Sequence, residues 1–285
     1  QLHFMLNADL GYKTKDIIKA QFIKHPSNVW SMPNEDRQKY FNNINRLDGE
    51  IKQKMNASPL FLQWVYGDSP HTIQESGIRL KTTEGEYKEV CSAYMSAENI
   101  QMYGLQLKEG RFWNDSIDNT YGYQFIINET AQKLFGITNI ETASLQPESR
   151  LWITSRNDMS TNPPYQVIGV VKDFKFTHLS KPNAPLVISN SGSYNSQKLM
   201  ASIVPGKKQE AIAFLKKLHN DTVGGEFEYS FVEDEVSALY KDDKKAAYIY
   251  SLFTVIAILI SSLGLFSLSL FDVQQRYREI AIRKV

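Results

Sequence analysis

Two carboxylates in this sequence stand where a folded chain can place acid–base chemistry. Asp173 closely follows an apolar, β-branched run, and Glu129 opens a short segment of helical character. A carboxylate serves as general acid or base when its surroundings move its pKa toward neutrality, but in the first turn of a helix it more commonly stabilises the helix end. The sequence places no nucleophile or second base in a motif beside either residue. We therefore predict that this chain is not an enzyme.

The residue types that bind metals and nucleotides occur without the spacing that binding needs. The histidines are His3, His25, His71, His178 and His219, and the one cysteine is Cys91. They form no H-E-x-x-H motif, and no histidine lies beside the cysteine as a zinc ligand would. Neither a G-x-x-x-x-G-K-[ST] phosphate loop nor a G-x-S-x-G elbow occurs. We expect no cofactor, no metal and no nucleotide site of this kind in the chain.

An uncharged segment near the end of the sequence is typical of a membrane helix. The run from Ala246 to Phe271 contains no charged residue, and lysines precede it while Asp272 and Arg276 follow it. A helix needs about 20 apolar residues to cross the hydrocarbon core of a bilayer. The alternative is the core helix of a soluble protein, which is seldom free of charge over such a length. We predict a transmembrane helix over residues 246–271.

Three small residues near the middle of this segment suit close packing between helices. Ser261, Ser262 and Gly264 would let a neighbouring membrane helix approach closely. Ordinary tolerance of serine and glycine in membrane helices explains them equally well. Both readings stay open at this point.

The charge of the chain excludes some partners and suggests an orientation. The 32 Lys and Arg nearly balance the 31 Asp and Glu, so no basic surface for nucleic acid is expected. Four basic residues follow the segment closely, and three precede it. Those that follow are Arg276, Arg278, Arg283 and Lys284, and those that precede are Lys241, Lys244 and Lys245. Because cytoplasmic flanks carry the excess of positive charge, residues 1–245 are predicted to lie outside the cytoplasm.

The soluble part of the sequence alternates strand-like and helix-like patterns, which predicts an α+β fold. A helix is expected over residues 34–56, a strand over 60–66, a hairpin that turns at Glu84-Gly85 over 77–95, and a short helix over 128–136. Strand and helix patterns alternate near both ends of the soluble part, and strand patterns are more frequent between them. This arrangement indicates one subdomain built from both ends of the chain and a second one inserted into it.

The same pattern gives approximate domain limits. Residues of about 1–95 plus 197–240 are assigned to the outer subdomain, and about 96–196 to the inserted β-rich subdomain. The transmembrane helix follows over 246–271, and a short charged segment over 272–285 comes after it.

Several stretches, taken in their order, resemble a known family. They are GLQLKEGRFW (104–113), FIINETAQKLFG (125–136), VIGVVKDFKF (167–176), FEYSFVEDEVSALY (227–240) and the ending SLGLFSLSLFDVQQRYREIAIRKV. With these, the chain resembles the FtsX-like permeases of ABC transporters that carry a MacB-type periplasmic core domain. It is similar to the larger, two-unit permeases common in Bacteroidetes.

The resemblance implies a function in the bacterial inner membrane, with residues 1–245 as the periplasmic core domain. A separate cytoplasmic ATPase would supply energy, and its motion would reach the periplasmic domain for efflux, lipoprotein release or control of an envelope enzyme. The residues implied to couple to the ATPase are Gln275, Arg276, Glu279, Ile280, Ile282, Arg283 and Lys284. Further implied partners are a second copy or the other half of the same permease, and a periplasmic adaptor or envelope protein.

A second hypothesis comes from a different class of protein. One membrane helix after an extracytoplasmic domain also suits a single-span ligand sensor. Such a sensor would be followed by a signalling domain and would bind no ATPase, so its partners distinguish it from a permease.

Overall fold

A computed structural model of the chain describes residues 9–74, 77–114, 118, 123–149, 163–190 and 198–283. The helices are α1 (Asn34–Asn56), α2 (Ala97–Tyr103), α3 (Glu129–Phe135), α4 (Lys208–Thr222), α5 (Val232–Leu239) and α6 (Lys241–Arg283). The strands are β1 (Ile17–Gln21), β2 (Phe61–Tyr66), β3 (Ile78–Lys81), β4 (Lys88–Tyr94), β5 (Leu107–Gly110), β6 (Gln124–Asn128), β7 (Ser144–Pro147), β8 (Tyr165–Val171), β9 (Leu186–Ser189), β10 (Lys198–Ile203) and β11 (Glu228–Phe231). The predicted α+β class is confirmed. Ala8–Val236 form one compact unit that holds both sheets, and α6 belongs to another.

Strands from the two ends of the soluble part form one antiparallel sheet, the terminal sheet. Among the described residues its strand order is β11-β1-β10-β2. Helices α1 and α4 cover one face, where their apolar side chains meet those of the strands. The fully buried members of this core are Ile18, Ala20, Ile51, Leu199, Ala201, Ala211 and Leu215. The outer subdomain is thus assembled from both ends of the chain, as the sequence pattern predicts.

The inserted strands form a closed mixed barrel. The order β5-β8-β6-β9-β4-β3-β7 holds in the described residues, and β7 also pairs with β8, which closes a ring and leaves β5 beside β8. The pairs β4–β9 and β6–β8 are parallel, and the others are antiparallel. Inside the barrel, the aromatic rings of Phe125 and Tyr165 stack with their centroids 4.5 Å apart. Closure leaves no unpaired edge within the ring itself.

The strand pairing corrects one predicted boundary. Strands β3 and β4 do form the predicted hairpin, with the Gly85 amide bonded to the Thr82 carbonyl. They pair with β7 and β9, however, and so belong to the barrel and not to the terminal sheet. The boundary near residue 95 therefore moves back to the connection between β2 and β3. The residues of a hairpin predict its turn and its two strands, but they do not indicate which sheet the hairpin joins.

Local sequence signals determine where the helices begin and end. Helix α1 begins and ends where predicted, with Glu35 and Asp36 in its first turn, where the helix dipole favours negative charge. Asn128 caps the start of helix α3, because its side chain accepts a hydrogen bond from the Ala131 amide at 2.9 Å, and Gly136 caps its end. Strand β8 ends at Val171, ahead of Asp173.

We predict that Gly110 tolerates no side chain. It has a φ of +76° and pairs with Gly169 across β5 and β8. A Cβ atom on Gly110 would lie 2.3 Å from the Ile168 carbonyl oxygen. Gly110→Ala should therefore lower the free energy of unfolding by about 2–3 kcal/mol, measured by urea unfolding of the protein in detergent.

A glycine in α1 provides the control. A Cβ atom on Gly49 meets nothing within 4 Å, so Gly49→Ala should raise the free energy of unfolding by about 0.5–1 kcal/mol through higher helix propensity. Equal stabilities of the Gly110 variant and the unaltered protein would contradict the close approach of β5 to β8.

Candidate functional site

Helix α6 presents an apolar surface that water cannot solvate well. The most apolar 18 residues of the stretch Lys245–Gln274 have a mean hydropathy of 2.2, and among the described residues it is the one helix long and apolar enough to cross a membrane. Large side chains stand free of protein contact; Leu259, Ile260 and Phe266, for example, are 58%, 66% and 62% exposed. A water-soluble domain seldom leaves such a contiguous patch open. By length and composition this helix can span a bilayer, in agreement with the segment predicted over 246–271.

Three hydroxyl groups within α6, those of Ser251, Thr254 and Ser262, donate to carbonyls of the same helix. Thr254 donates to the Tyr250 carbonyl at 2.8 Å, and Ser262 donates to the Ile258 carbonyl at 2.5 Å. Bonds of this kind, to the carbonyl one turn earlier, leave no polar hydrogen that needs water. The polar residues of the segment are therefore compatible with a hydrocarbon environment.

The residues predicted to pack against another membrane helix lie on open parts of α6. Ser261, Ser262 and Gly264 are exposed, and a Cβ atom on Gly264 would meet nothing within 4 Å. The surface allows close approach of a partner helix. Their role in packing stays a prediction.

The residues predicted to couple to an ATPase lie at the end of α6 or beyond it. The backbone is helical through Arg283, with no break between the apolar stretch and the charged ending. Arg276 is exposed. The side chains of Gln275, Glu279, Ile280, Ile282 and Arg283, and the whole of Lys284, fall outside the described residues, so their role also stays a prediction.

The two candidate catalytic carboxylates meet at the start of α3, where Asp173 accepts a hydrogen bond from an amide of the first turn and Glu129 binds the Asp173 backbone. Asp173 accepts hydrogen bonds from the Thr130 amide at 3.0 Å and from the Thr130 hydroxyl at 2.8 Å. Glu129 accepts from the Asp173 amide at 3.2 Å and lies 2.9 Å from the Lys108 ammonium. The hydrogen bond from Lys108 holds the pKa of Glu129 below its usual value. These contacts make Asp173 and Glu129 structural ties between β8 and α3.

Asp118 is held still more firmly by a guanidinium group. Both terminal nitrogens of Arg111 donate to its carboxylate, which also accepts from the Asn114 amide and the Gln124 side chain. The side chain of Asp118 is 2% exposed. The hydrogen bonds from Arg111 hold the pKa of Asp118 far below its usual range. A carboxylate fixed in this way supports local structure and does not exchange protons near neutral pH.

The described residues contain no group of three or more His, Cys, Asp or Glu that can hold a metal ion. Cys91 is buried. An open cavity of about 400 Å³ lies beside it; its lining is Glu89, Val90, Cys91, Thr177, Lys181, Pro182, Asn183, Ala184 and Pro185. This lining is mostly apolar, and none of the residues predicted to be functional contributes to it.

Sequence reasoning missed one charged cluster, which brings Lys19, His71 and Glu235 together. Each residue lies in a different element, so no local motif marks the group. The one available signal is Lys19 itself, a charged residue between the buried Ile18 and Ala20 of β1.

We predict that charges in the middle of α6 prevent membrane integration. Leu259→Arg combined with Leu263→Arg should make the free energy of membrane insertion less favourable by about 6 kcal/mol, because each arginine at the centre of a span costs about 3 kcal/mol. The fraction of protein that resists carbonate extraction from membranes should fall sharply. The matched control, Leu239→Arg with Val223→Arg, changes two exposed apolar residues outside the span and should integrate normally. Normal integration of both variants would show that lipid does not cover α6.

Asp118 should stabilise the protein in a pH-dependent way. Because the folded pKa lies below the unfolded value of about 3.9, the ionised group stabilises the fold above that pH, and the benefit is lost as pH falls toward the folded pKa. Asp118→Asn should lower the free energy of unfolding by about 3 kcal/mol at pH 7 and by about 1 kcal/mol less at pH 3.

The exposed pair Asp221–Lys217 supplies a control for this measurement, made by urea unfolding at the two pH values. Asp221→Asn should leave the unfolding midpoint nearly unchanged. A loss for Asp118→Asn that is the same at both pH values would contradict the ionised, hydrogen-bonded state.

Comparisons with known proteins yield structural likenesses only. No family model and no curated protein matches the sequence. The fold is similar to the periplasmic region of MacB from Actinobacillus actinomycetemcomitans, with 14% identity, 83% of this chain and 98% of that chain covered, and a TM-score of 0.46. It is also similar to the extracellular domain of YknZ, a noncanonical ABC-type transporter from Gram-positive bacteria, with 14% identity, coverage of 75% and 98%, and a TM-score of 0.44.

A further likeness is to a domain of a candidate permease protein from Porphyromonas gingivalis, with 15% identity, coverage of 64% and 75%, and a TM-score of 0.39. At these identities and scores, the likenesses concern the arrangement of the chain and carry no argument about function.

Proposed function

We propose that this chain is part of a membrane permease subunit of an FtsX-like, MacB-type ABC transporter. In this proposal α6 carries the motion of a separate cytoplasmic ATPase to the α+β unit on the other side of the inner membrane. The order of sequence motifs that resembles this family, the apolar stretch of α6 and the charged ending on the same helix support it together.

The unbroken length of α6 carries the proposal. Its 43 residues, at 1.5 Å per residue, extend about 65 Å, whereas the hydrocarbon core is about 30 Å thick. A helix of this length spans the core and extends well beyond it without a hinge. Such a rod can transmit displacement from one side of a membrane to the other.

The charged ending supplies a contact point for a partner. The sequence from Gln275 to Lys284 mixes basic residues, Glu279 and the apolar Ile280 and Ile282. A plain positive flank would need only the basic residues, whereas a mixed charged and apolar helix suits a protein groove. We therefore assign Gln275, Arg276, Glu279, Ile280, Ile282, Arg283 and Lys284 to contact with the ATPase.

The remaining parts of the proposal follow from this assignment. Residues 1–245 lie in the periplasm, and the small residues Ser261, Ser262 and Gly264 pack against another membrane helix, of a second copy or of the other half of the permease. The work done outside the membrane is efflux through an adaptor, lipoprotein release or control of an envelope enzyme. The chain carries no phosphate-loop motif, so the energy comes from its partner.

Co-purification of the full-length protein with candidate ATPase subunits, in detergent and with or without ATP, tests the proposal. The variant combines Glu279→Ala with Arg283→Ala. It should retain about tenfold less ATPase than the unaltered protein, the effect of losing about 1.4 kcal/mol of binding free energy.

A charged pair at the other end of α6 provides the matched control. Asp242 and Lys245 lie one turn apart and form an exposed ion pair, and their double alanine variant should retain the ATPase fully. Failure of every ATPase candidate to bind under any nucleotide condition would overturn the proposal and favour the single-span ligand sensor. Equal retention by both variants would overturn the assignment of the ending alone.

A further inference from the structure

Glu235 of α5 lies at the centre of a partly buried cluster of charges. Its carboxylate forms an ion pair with the Lys19 ammonium, accepts a hydrogen bond from the Ser230 hydroxyl at 2.6 Å, and lies 2.9 Å from Nε2 of His71. The side chains of Lys19, His71 and Glu235 are only 18%, 8% and 22% exposed. Ion pairs shielded from water in this way are screened far less than surface pairs.

The partners of Glu235 come from structurally distinct places. Lys19 lies on β1, an interior strand of the terminal sheet, and Ser230 stands opposite it on β11. His71 lies in the 3-10 helix Pro70–Thr72, within the connection that leads from β2 of the terminal sheet to β3 of the barrel. One carboxylate thus binds both the terminal sheet and the link to the barrel.

The protonation states favour this arrangement. Burial raises the pKa of Glu235, but hydrogen bonds from Lys19 and Ser230 outweigh it and leave the pKa below its usual value. Burial lowers the pKa of His71, so its imidazole is neutral at neutral pH. A neutral imidazole lies beside the ionised carboxylate, whose Oε2 atom accepts no hydrogen bond within the described part of the chain, and Lys19 supplies the compensating charge.

Other polar groups near this connection are incompletely paired. Asn99 is 1% exposed, and neither atom of its amide group has a hydrogen-bond partner within the described part of the chain. The same holds for Nδ1 of His71. Unpaired buried polar groups weaken the packing around them. The connection is also held to the terminal sheet by the Lys198–Asp68 ion pair at 2.7 Å, so Glu235 is one of two charged attachments at this junction.

The position of Glu235 in the chain gives the cluster its significance. Helix α5 ends at Leu239, and α6 begins at Lys241, so the chain passes from Glu235 almost directly into the helix with the membrane span. A single residue, Tyr240, separates the two helices in the chain.

We infer that the Lys19–His71–Glu235 cluster is the attachment through which movement of α5 reaches both the terminal sheet and the barrel. Glu235 is a positioning residue in this inference, which rests on the proposed function. Neutralising it should leave ATPase binding intact and uncouple the α+β unit from the ATPase.

Hydrogen–deuterium exchange of the full-length permease bound to its ATPase tests the inference. Exchange is compared between ADP and ATP with vanadate, in α6, in β1 and in the connection around His71. The unaltered complex should show nucleotide-dependent differences in all three. In Glu235→Gln the differences in β1 and the connection should fall by a factor of about 2 or more, the usual scale for residues in a coupling network, while α6 responds as before.

Glu233→Gln is the matched control, because it removes a carboxylate from the same helix. Glu233 pairs with Lys208 at the start of α4 and contacts neither Lys19 nor His71 through any described ion pair. Its exchange differences should match those of the unaltered protein.

The outcomes separate the inference from the proposed function. Absence of ATPase binding, or of any nucleotide response in α6 of the unaltered protein, overturns the proposed function. A full response of β1 in Glu235→Gln, or a response in α6 that never reaches β1, overturns the inference alone. Protection of β6 in the barrel monitors folding. If Glu235→Gln lowers the protection of β6, the reversed pair Lys19→Glu with Glu235→Lys is measured instead. A restored nucleotide response of β1 in this double variant supports the inference. Loss of that response while β6 stays protected overturns the inference.

Discussion

The apolar surface of α6 is the constraint on which the rest of the molecule depends. Side chains along Lys245–Gln274 remain open to the surroundings, and transfer of this much apolar surface out of water is strongly favourable. A bilayer, with another membrane helix beside the small residues, is the environment proposed to cover such a helix. In the proposed function, the two ends of the helix lie in different compartments, and the helix connects the folded unit to the charged ending.

The folded unit has two parts that resist deformation differently, because the barrel strands are inserted in the sequence between the strands of the terminal sheet. The barrel strands pair in a ring, so displacing one strand requires its neighbours to follow. The terminal sheet instead ends in β11 and β2 and holds together through the packing of α1 and α4. Because β11 leads into α5, the sheet is the part nearest in sequence to the membrane helix. Under the further inference, motion that enters there would reach the barrel through the connections between the two parts and through the contacts around His71.

Local features of this fold were predictable from the sequence, and long-range ones were not. Helix α1 follows from apolar spacing and the acidic residues after Pro33, and the turn at Gly85 follows from its composition. The apolar span follows from the absence of charge. Membership of β3 and β4 in the barrel depends on β7 and β9, which are distant in sequence. The Lys19–His71–Glu235 cluster likewise exists only after the sheet has formed. The coupling residues at the end of α6 remain a prediction from resemblance.

The single cysteine has a practical consequence. Cys91 lies in β4, opposite Leu186 of β9, and is 4% exposed. Its burial limits the access of oxidants and modifying reagents, and the open cavity that Cys91 helps to line is the one described approach to the thiol. One cysteine can form no disulfide within this segment. Cysteines introduced at chosen surface positions would carry spectroscopic labels selectively, and the native residue would report unfolding when it becomes reactive.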